Sequence, residues 1–172
     1  MAIGAAKRHE DPNQSTHTKP TTQQPKQNHL FDHLVGSWCK KTKTGGMGWI
    51  LLDGAGSEVS RGHATERRIT SALMAEALAI RSALNHALEL GITDLQINSD
   101  ALDLIRVIST QEQLKEIYEI LFDIHALASM FSSISFSYIP RSENKIADEI
   151  AKSANRLISI IGLVFENEIV TG

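Results

Sequence analysis

Three carboxylates, Glu76, Asp100 and Asp148, lie far apart in the chain but in contexts that would let a fold bring them together. Taken singly, each has an ordinary structural reading. Glu76 sits in an apolar run beside Leu73, Ala77 and Ile80 on a helical net. There it reads as a rim acid seeking a cation, because an unpaired buried charge is costly. Asp100 follows a short apolar strand over 94–99. Either it or Ser99 would cap a helix beginning at Ala101, and open α/β sheets also place ligands at such strand ends. Asp148 falls early in a helix behind Asn144, where an acid complements the helix dipole, as Asp103 does in its own helix. Together the three mean more. Two helices packed against one strand end would gather them, and like charges about 4 Å apart repel by roughly 4 kcal/mol at an effective dielectric near 20. Divalent cations remove that repulsion, and an all-oxygen ligand set suits magnesium or manganese.

The elements that must position these acids can be read from periodicity. Leu34 to Trp38 reads as a first strand, followed by a basic, glycine-ended loop over 40–46. Met47, Trp49, Ile50 and Leu51 mark a buried second strand, and Asp53-Gly54 signals a hairpin into a third strand over 58–64. Residues 71–90 carry Leu73, Ala77, Ile80, Leu84, Ala87 and Leu88 at helical spacing, with Thr70 or Ser71 as a cap and Gly91 at the end. A central strand over 94–99 is followed by helices over 101–108 and 113–130. Ile134, Phe136 and Tyr138 form a further strand with Ser133, Ser135 and Ser137 on its other face, and a last helix spans 144–157. Three antiparallel strands followed by strand-helix alternation predict an α/β fold with a mixed five-stranded sheet and helices on both faces.

Residues 1–29 are polar and nearly free of aliphatic side chains, so they are expected to form a disordered tail. The domain proper is expected over 30–157, with 158–172 a C-terminal extension of unassigned structure. The net charge of -3 argues against a surface that binds nucleic acid by bulk charge, so any such role needs a local site. One cysteine, Cys39, excludes an internal disulfide and a cysteine-built zinc site. The opening residues have no apolar run of signal-peptide length, and 157–165 falls well short of the roughly twenty residues that span a bilayer. The chain therefore reads as intracellular, soluble, monomeric and free of membrane contact, in nucleus, cytoplasm or organelle alike.

Four segments in order resemble type 1 ribonuclease H, in particular its retroelement-derived forms common in plants. Residues 46–53, GMGWILLD, resemble the second strand. Ala75-Glu76-Ala77-Leu78-Ala79-Ile80 resembles the AE-x-x-A helix, and Asn98-Ser99-Asp100-Ala101 the SD strand end. Arg141 to Asp148, followed by Ala151, resembles the R-x-x-N-x-x-AD start of the last helix. The resemblance implies hydrolysis of the RNA strand of an RNA–DNA hybrid with two magnesium or manganese ions. It makes Glu76, Asp100 and Asp148 the catalytic metal ligands. Gly36 and Ser37 would face the ribose, whose 2′-hydroxyl distinguishes RNA, and Arg141 and Asn144 would touch phosphate or order the loop before Asp148.

One departure weighs against catalysis. The family's first strand carries an aspartate in D-G-S-W or D-A-S-W, and this chain reads Val35-Gly36-Ser37-Trp38. Asp32 lies three residues earlier, an odd shift that sends a side chain to the opposite face unless a bulge intervenes. Weak metal affinity and little hydrolysis are expected, and the alternative is a catalytically inactive nucleic-acid-binding or interaction module. Tyr138 stands where many relatives carry histidine, and no histidine follows before Asp148. The segment 111–116, QEQLKE, is not a basic handle, so hybrid binding should be modest.

Overall fold

The computed structural model describes residues 29–170. Its strands are β1 (His29–Cys39), β2 (Thr44–Leu52), β3 (Glu58–Arg67), β4 (Asp94–Ser99) and β5 (Ser133–Tyr138), and its helices α1 (Ala72–Glu89), α2 (Leu102–Thr110), α3 (Tyr118–Ala128) and α4 (Lys145–Val170). The strands form one sheet in the order β3-β2-β1-β4-β5. β1 pairs antiparallel with β2 and parallel with β4, which is itself parallel to β5. The expected mixed five-stranded sheet is the one observed.

Alternation along β1 divides the interior. Leu30 and Leu34 join the large core with Met47, Trp49 and Leu51 of β2, Leu95 and Ile97 of β4, and the apolar faces of α1, α2 and α3. Val35 points the other way and packs on Ala147 and Ala151 of α4. Each large aliphatic side chain withdrawn from water contributes about 1.5–3 kcal/mol, so the first cluster carries most of the stability. The second depends on close approach. A Cβ at Gly48 would lie 2.6 Å from the Ala151 nitrogen, so α4 can rest on the sheet only where side chains are absent. Helix α1 begins at a true cap, with the Met74 amide donating to Ser71 Oγ at 3.1 Å. Its terminal turn gives way to Gly91 at φ 73°, a left-handed position that suits glycine.

Several boundaries differ from the sequence reading, among them the end of β3, which runs to Arg67 rather than residue 64. β1 extends back to His29, because Asp32 and His33 break the apolar alternation that would have revealed it. The β2–β3 connection is a longer loop. Asp53 Oδ1 accepts from the amides of Ala55 and Ser57, and the left-handed glycine is Gly56, at φ 79°, rather than Gly54. The single helix expected over 113–130 is a 3-10 turn at Lys115–Ile117 followed by α3; Ile117, 1% exposed, is drawn into the core at the break. Helix α4 does not stop near residue 157 but continues to Val170. No proline interrupts that stretch, and Gly162 alone costs only about 1 kcal/mol in a helix. Apart from His29, the expected tail over 1–29 lies outside the described residues. Among the described residues no helix is long and apolar enough to cross a membrane.

Candidate active site and its internal cations

The parallel pairing of β1 and β4 sets Leu34 opposite Ser99, so the residues that follow both strands emerge side by side. Helix α1 crosses close above β1 at Gly36, where a Cβ would collide with the backbone of Ala75 and Glu76. That proximity lets the Gly36 amide donate to Glu76 Oε2 at 2.8 Å. Asp100 follows β4 but does not cap α2. The α2 cap residue is Ala101, which has no side-chain cap bond, and Ser99 Oγ instead accepts from the Ala101 amide. Asp100 is thereby left facing Asn144, whose Nδ2 donates to Asp100 Oδ1 at 3.0 Å and to the Leu34 carbonyl at 2.7 Å. Asn144 thus ties β1, the β4 end and the start of α4 together. It is 1% exposed, a positioning place rather than a contact surface, and its own side-chain oxygen has no partner among the described residues.

Asp148 occupies the first turn of α4 and is held by two cations. Arg141 Nη2 donates to its Oδ1 at 2.9 Å and Lys152 Nζ to its Oδ2 at 2.5 Å. The Arg141 Nε also lies 3.9 Å from Asp100 Oδ2, so one guanidinium spans both aspartates. Burial alone would raise the Asp148 pKa, but the hydrogen bonds and charges of Lys152 and Arg141 outweigh it and hold the group below its usual value. Glu76 behaves oppositely. Burial, aided by the charges of Asp100 and Asp148, pushes it up to about 8 despite the Gly36 amide and Arg141. The three acids therefore share one electrostatic neighbourhood, with Arg141 in its midst.

This arrangement does not fit a pair of metal ions. Among the described residues no three Asp, Glu, His or Cys side chains converge in a way that could hold one. Both oxygens of Asp148 are taken by cations, one oxygen of Glu76 by an amide, and one of Asp100 by Asn144. On β1, Val35 stands where the resemblance places an aspartate, 2% exposed and packed on Ala147 and Ala151 of α4. Asp32 does not replace it. The β1 pairing runs without a register shift, so Asp32 faces the large core, with Leu51 and Ile97 as its cross-strand partners. Neither of its carboxylate oxygens has a hydrogen-bond partner among the described residues. Burial raises its pKa well above the usual carboxylate value, and the nearby Ile50 backbone, which does not reach hydrogen-bond geometry, offsets only part of that rise.

Of the other residues singled out from sequence, Gly36 offers its amide to Glu76 rather than outward. Ser37 lines a cleft of about 510 Å³ with Cys39, Lys152, Asn155, Arg156 and Ile160. Lys152 was not foreseen, although its place four residues after Asp148 is the spacing at which helical ion pairs form. Asn155 was also missed. It is buried, accepts from Thr44 Oγ1 at 2.8 Å, and locks α4 to the start of β2.

The sequence pattern of the reverse transcriptase-like family matches residues 33–154. No curated protein matches in sequence. Among solved structures, ribonuclease H1 from the halophilic archaeon Halobacterium salinarum is 23% identical with a TM-score of 0.69, the match covering 73% of this chain and 96% of that one. The N-terminal ribonuclease H domain of a Mycobacterium tuberculosis protein is 20% identical with a TM-score of 0.72, over 78% and 99%. A ribonuclease H1 isolated from compost, solved in complex with an RNA/DNA hybrid, is 20% identical with a TM-score of 0.69, over 75% and 98%. At these identities the likeness is one of fold, a ribonuclease H-like fold.

Proposed function

The chain belongs to the reverse transcriptase-like family, and from that membership we propose that it is a ribonuclease H-type module that engages RNA–DNA hybrids with little or no hydrolysis. The observation that carries the second half is Val35. Ribonucleases H generally use divalent metal ions. At the first-strand position where the resemblance calls for a metal-bridging aspartate, this chain has a 2% exposed isopropyl group packed on Ala147 and Ala151. Removing that carboxylate removes bonds to both ions at once. Glu76, Asp100 and Asp148, the ligands the resemblance implies for magnesium or manganese, are instead engaged by the Gly36 amide, Asn144, Arg141 and Lys152. Hybrid recognition is supported by the fold shared with the compost enzyme, which was solved with that substrate. In this reading Gly36 and Ser37 border the path of the ribose, Arg141 reaches phosphate, and Asn144 positions the loop before Asp148. We place the protein inside the cell, consistent with its lone cysteine, and read the unit that meets the hybrid as a monomer.

A second reading, an active hydrolase, is favoured by the survival of Glu76, Asp100 and Asp148 in one neighbourhood. A hybrid-cleavage assay with magnesium decides between them. The native chain should leave the hybrid intact, and Val35→Asp should gain measurable cleavage. Brisk cleavage by the native chain would overturn the proposal.

A further inference from the structure

Helix α4 is seated on the sheet by small side chains and leaves larger ones in water. Ala147, Ala151 and Ala154 are buried, with Val35 and the glycines of β2 beneath the helix. On the flank toward β3, Ile146 and Leu157 stand 55% and 58% exposed, with partly buried Ile150 between them. Together with Ser153 these residues recur at steps of four, three and four, which a helix turns to one side. They line a groove of about 270 Å³ whose far wall is Arg61 and His63 of β3. Scattered surface aliphatics are ordinary, but a continuous strip beside a groove marks an interaction face.

The rim of this strip carries one acid and one base. Glu149 and Arg156 are both exposed, and neither takes part in an ion pair among the described residues. Seven residues apart, they stand about 10 Å from each other along the helix, too far to pair within one chain. Arg156 Nη2 instead donates to Ser153 Oγ at 3.1 Å.

An antiparallel copy of the helix supplies what is missing. About a two-fold axis crossing α4 between Ile150 and Ser153, Ile146 of one copy meets Leu157 of the other. Ile150 meets the small Ser153, and Glu149 of each copy meets Arg156 of the other. The apolar pattern and the charge pattern thus obey the same axis, as an isologous interface requires.

We infer that this flank of α4 is a self-association surface, on which a second copy of the chain docks antiparallel about that axis. The strip from Ile146 to Leu157 is only about 17 Å long at the usual helical rise. It is small beside the roughly 800 Å² a side of stable complexes, so pairing is reversible and depends on concentration. The monomer expected from sequence becomes one half of an exchanging pair. Asp148 and Lys152, which bond to each other, project from the opposite flank of α4. Each copy therefore keeps its acid neighbourhood open, and the pairing goes beyond the hybrid reading without resting on it.

Sedimentation velocity of the full chain over a concentration series tests the surface. The samples are the native protein, Glu149→Arg, Arg156→Glu, an equimolar mixture of these two variants, and Leu157→Lys. All three positions are exposed, and circular dichroism checks that each variant folds. The native chain should pass from monomer to dimer as concentration rises. Each charge reversal sets like charges against each other at both rim contacts and should weaken self-association about tenfold or more. Mixed, the two variants should pair with each other as tightly as the native chain, because every rim contact again joins an acid to a base. Leu157→Lys should abolish pairing. A native chain that stays monomeric throughout overturns the inference and leaves the hybrid reading untouched. Single variants that pair as tightly as the native chain, or a mixture no tighter than its components, overturn the antiparallel α4 contact. If a charge variant misfolds, Leu157→Lys decides: native-like pairing in that protein refutes the surface.

Discussion

The two faces of β1 carry each other's chemistry. Toward the large core, among Leu30, Leu34, Leu51 and Ile97, stands a carboxylate, Asp32. Toward the acid neighbourhood, beneath the first turn of α4, stands an aliphatic side chain, Val35. Both are nearly inaccessible, at 0% and 2% exposure, and the two side chains differ more in charge than in size. An acid in an apolar core meets chiefly the cost of leaving water, whereas an acid at Val35 would face the neighbourhood of Glu76, Asp100 and Asp148 and the cations that balance them. The contrast separates what shape permits from what charge permits.

The sharpest way to break it is to put the carboxylate back. Val35→Asp adds a buried acid to a neighbourhood that Arg141 and Lys152 already balance, so without metal the variant should lose roughly 3 kcal/mol or more of stability. Magnesium should restore much of that loss, because an ion bound only by the folded state stabilises it. Thermal denaturation of native and variant protein, with chelator and with magnesium, checks both parts. A variant as stable as the native chain in chelator would mean that the site tolerates a further charge unaided.

The second test acts on the other face. The unfolded Asp32 carboxyl titrates in the ordinary range near 3.8, and the folded one well above it. The fold therefore binds an extra proton between those values, and stability falls as pH rises from the first toward the second. Asp32→Asn removes the ionisation and should raise stability at neutral pH by on the order of 1–3 kcal/mol. The gain should shrink toward nothing as pH drops below about 4, where native Asp32 is protonated even when unfolded. Urea midpoints across pH report it. A gain that persists undiminished at acid pH would show that packing, not charge, limits the native residue.

The same strand shows what the sequence could disclose. β4, with Leu95 and Ile97 alternating toward the core, was legible from end to end, and so was α1, whose stripe, Ser71 cap and Gly91 stop agree with one another. The beginning of β1 was not, because Asp32 sits where alternation demands an aliphatic residue, and only its pairing with β2 and β4 makes it a strand. The split of 113–130 escaped for a similar reason, since burying Ile117 is a tertiary demand that leaves no local mark. At the site, motif order singled out Glu76, Asp100, Asp148 and the substitution at Val35. How the acids are balanced was hidden. Arg141 spans two acids 41 and 7 residues distant in sequence, and no spacing rule joins it to Asp100.

That balance sets up the smallest of the expected effects. Arg141→Ala removes an ion pair whose arginine side chain is 67% exposed, and such pairs contribute about 0–1 kcal/mol. Lys152 still holds one oxygen of Asp148, so the stability loss at neutral pH should stay within that range. Its pH dependence has the opposite sign to that of Asp32. The Asp148 pKa is depressed in the fold, so the stability it lends is present above the ordinary carboxylate range and lost as pH falls through the folded value. Removing Arg141 relaxes that pKa upward, and the difference between native and variant should fade at acid pH rather than at alkaline pH. Carboxyl chemical shifts of Asp148 followed by NMR titration would register the rise directly, free of the small stability signal. A loss well beyond about 2 kcal/mol would mean that the guanidinium is a structural strut between β4 and α4 rather than an exposed counterion, and that opening the acid site to metal would also loosen the fold.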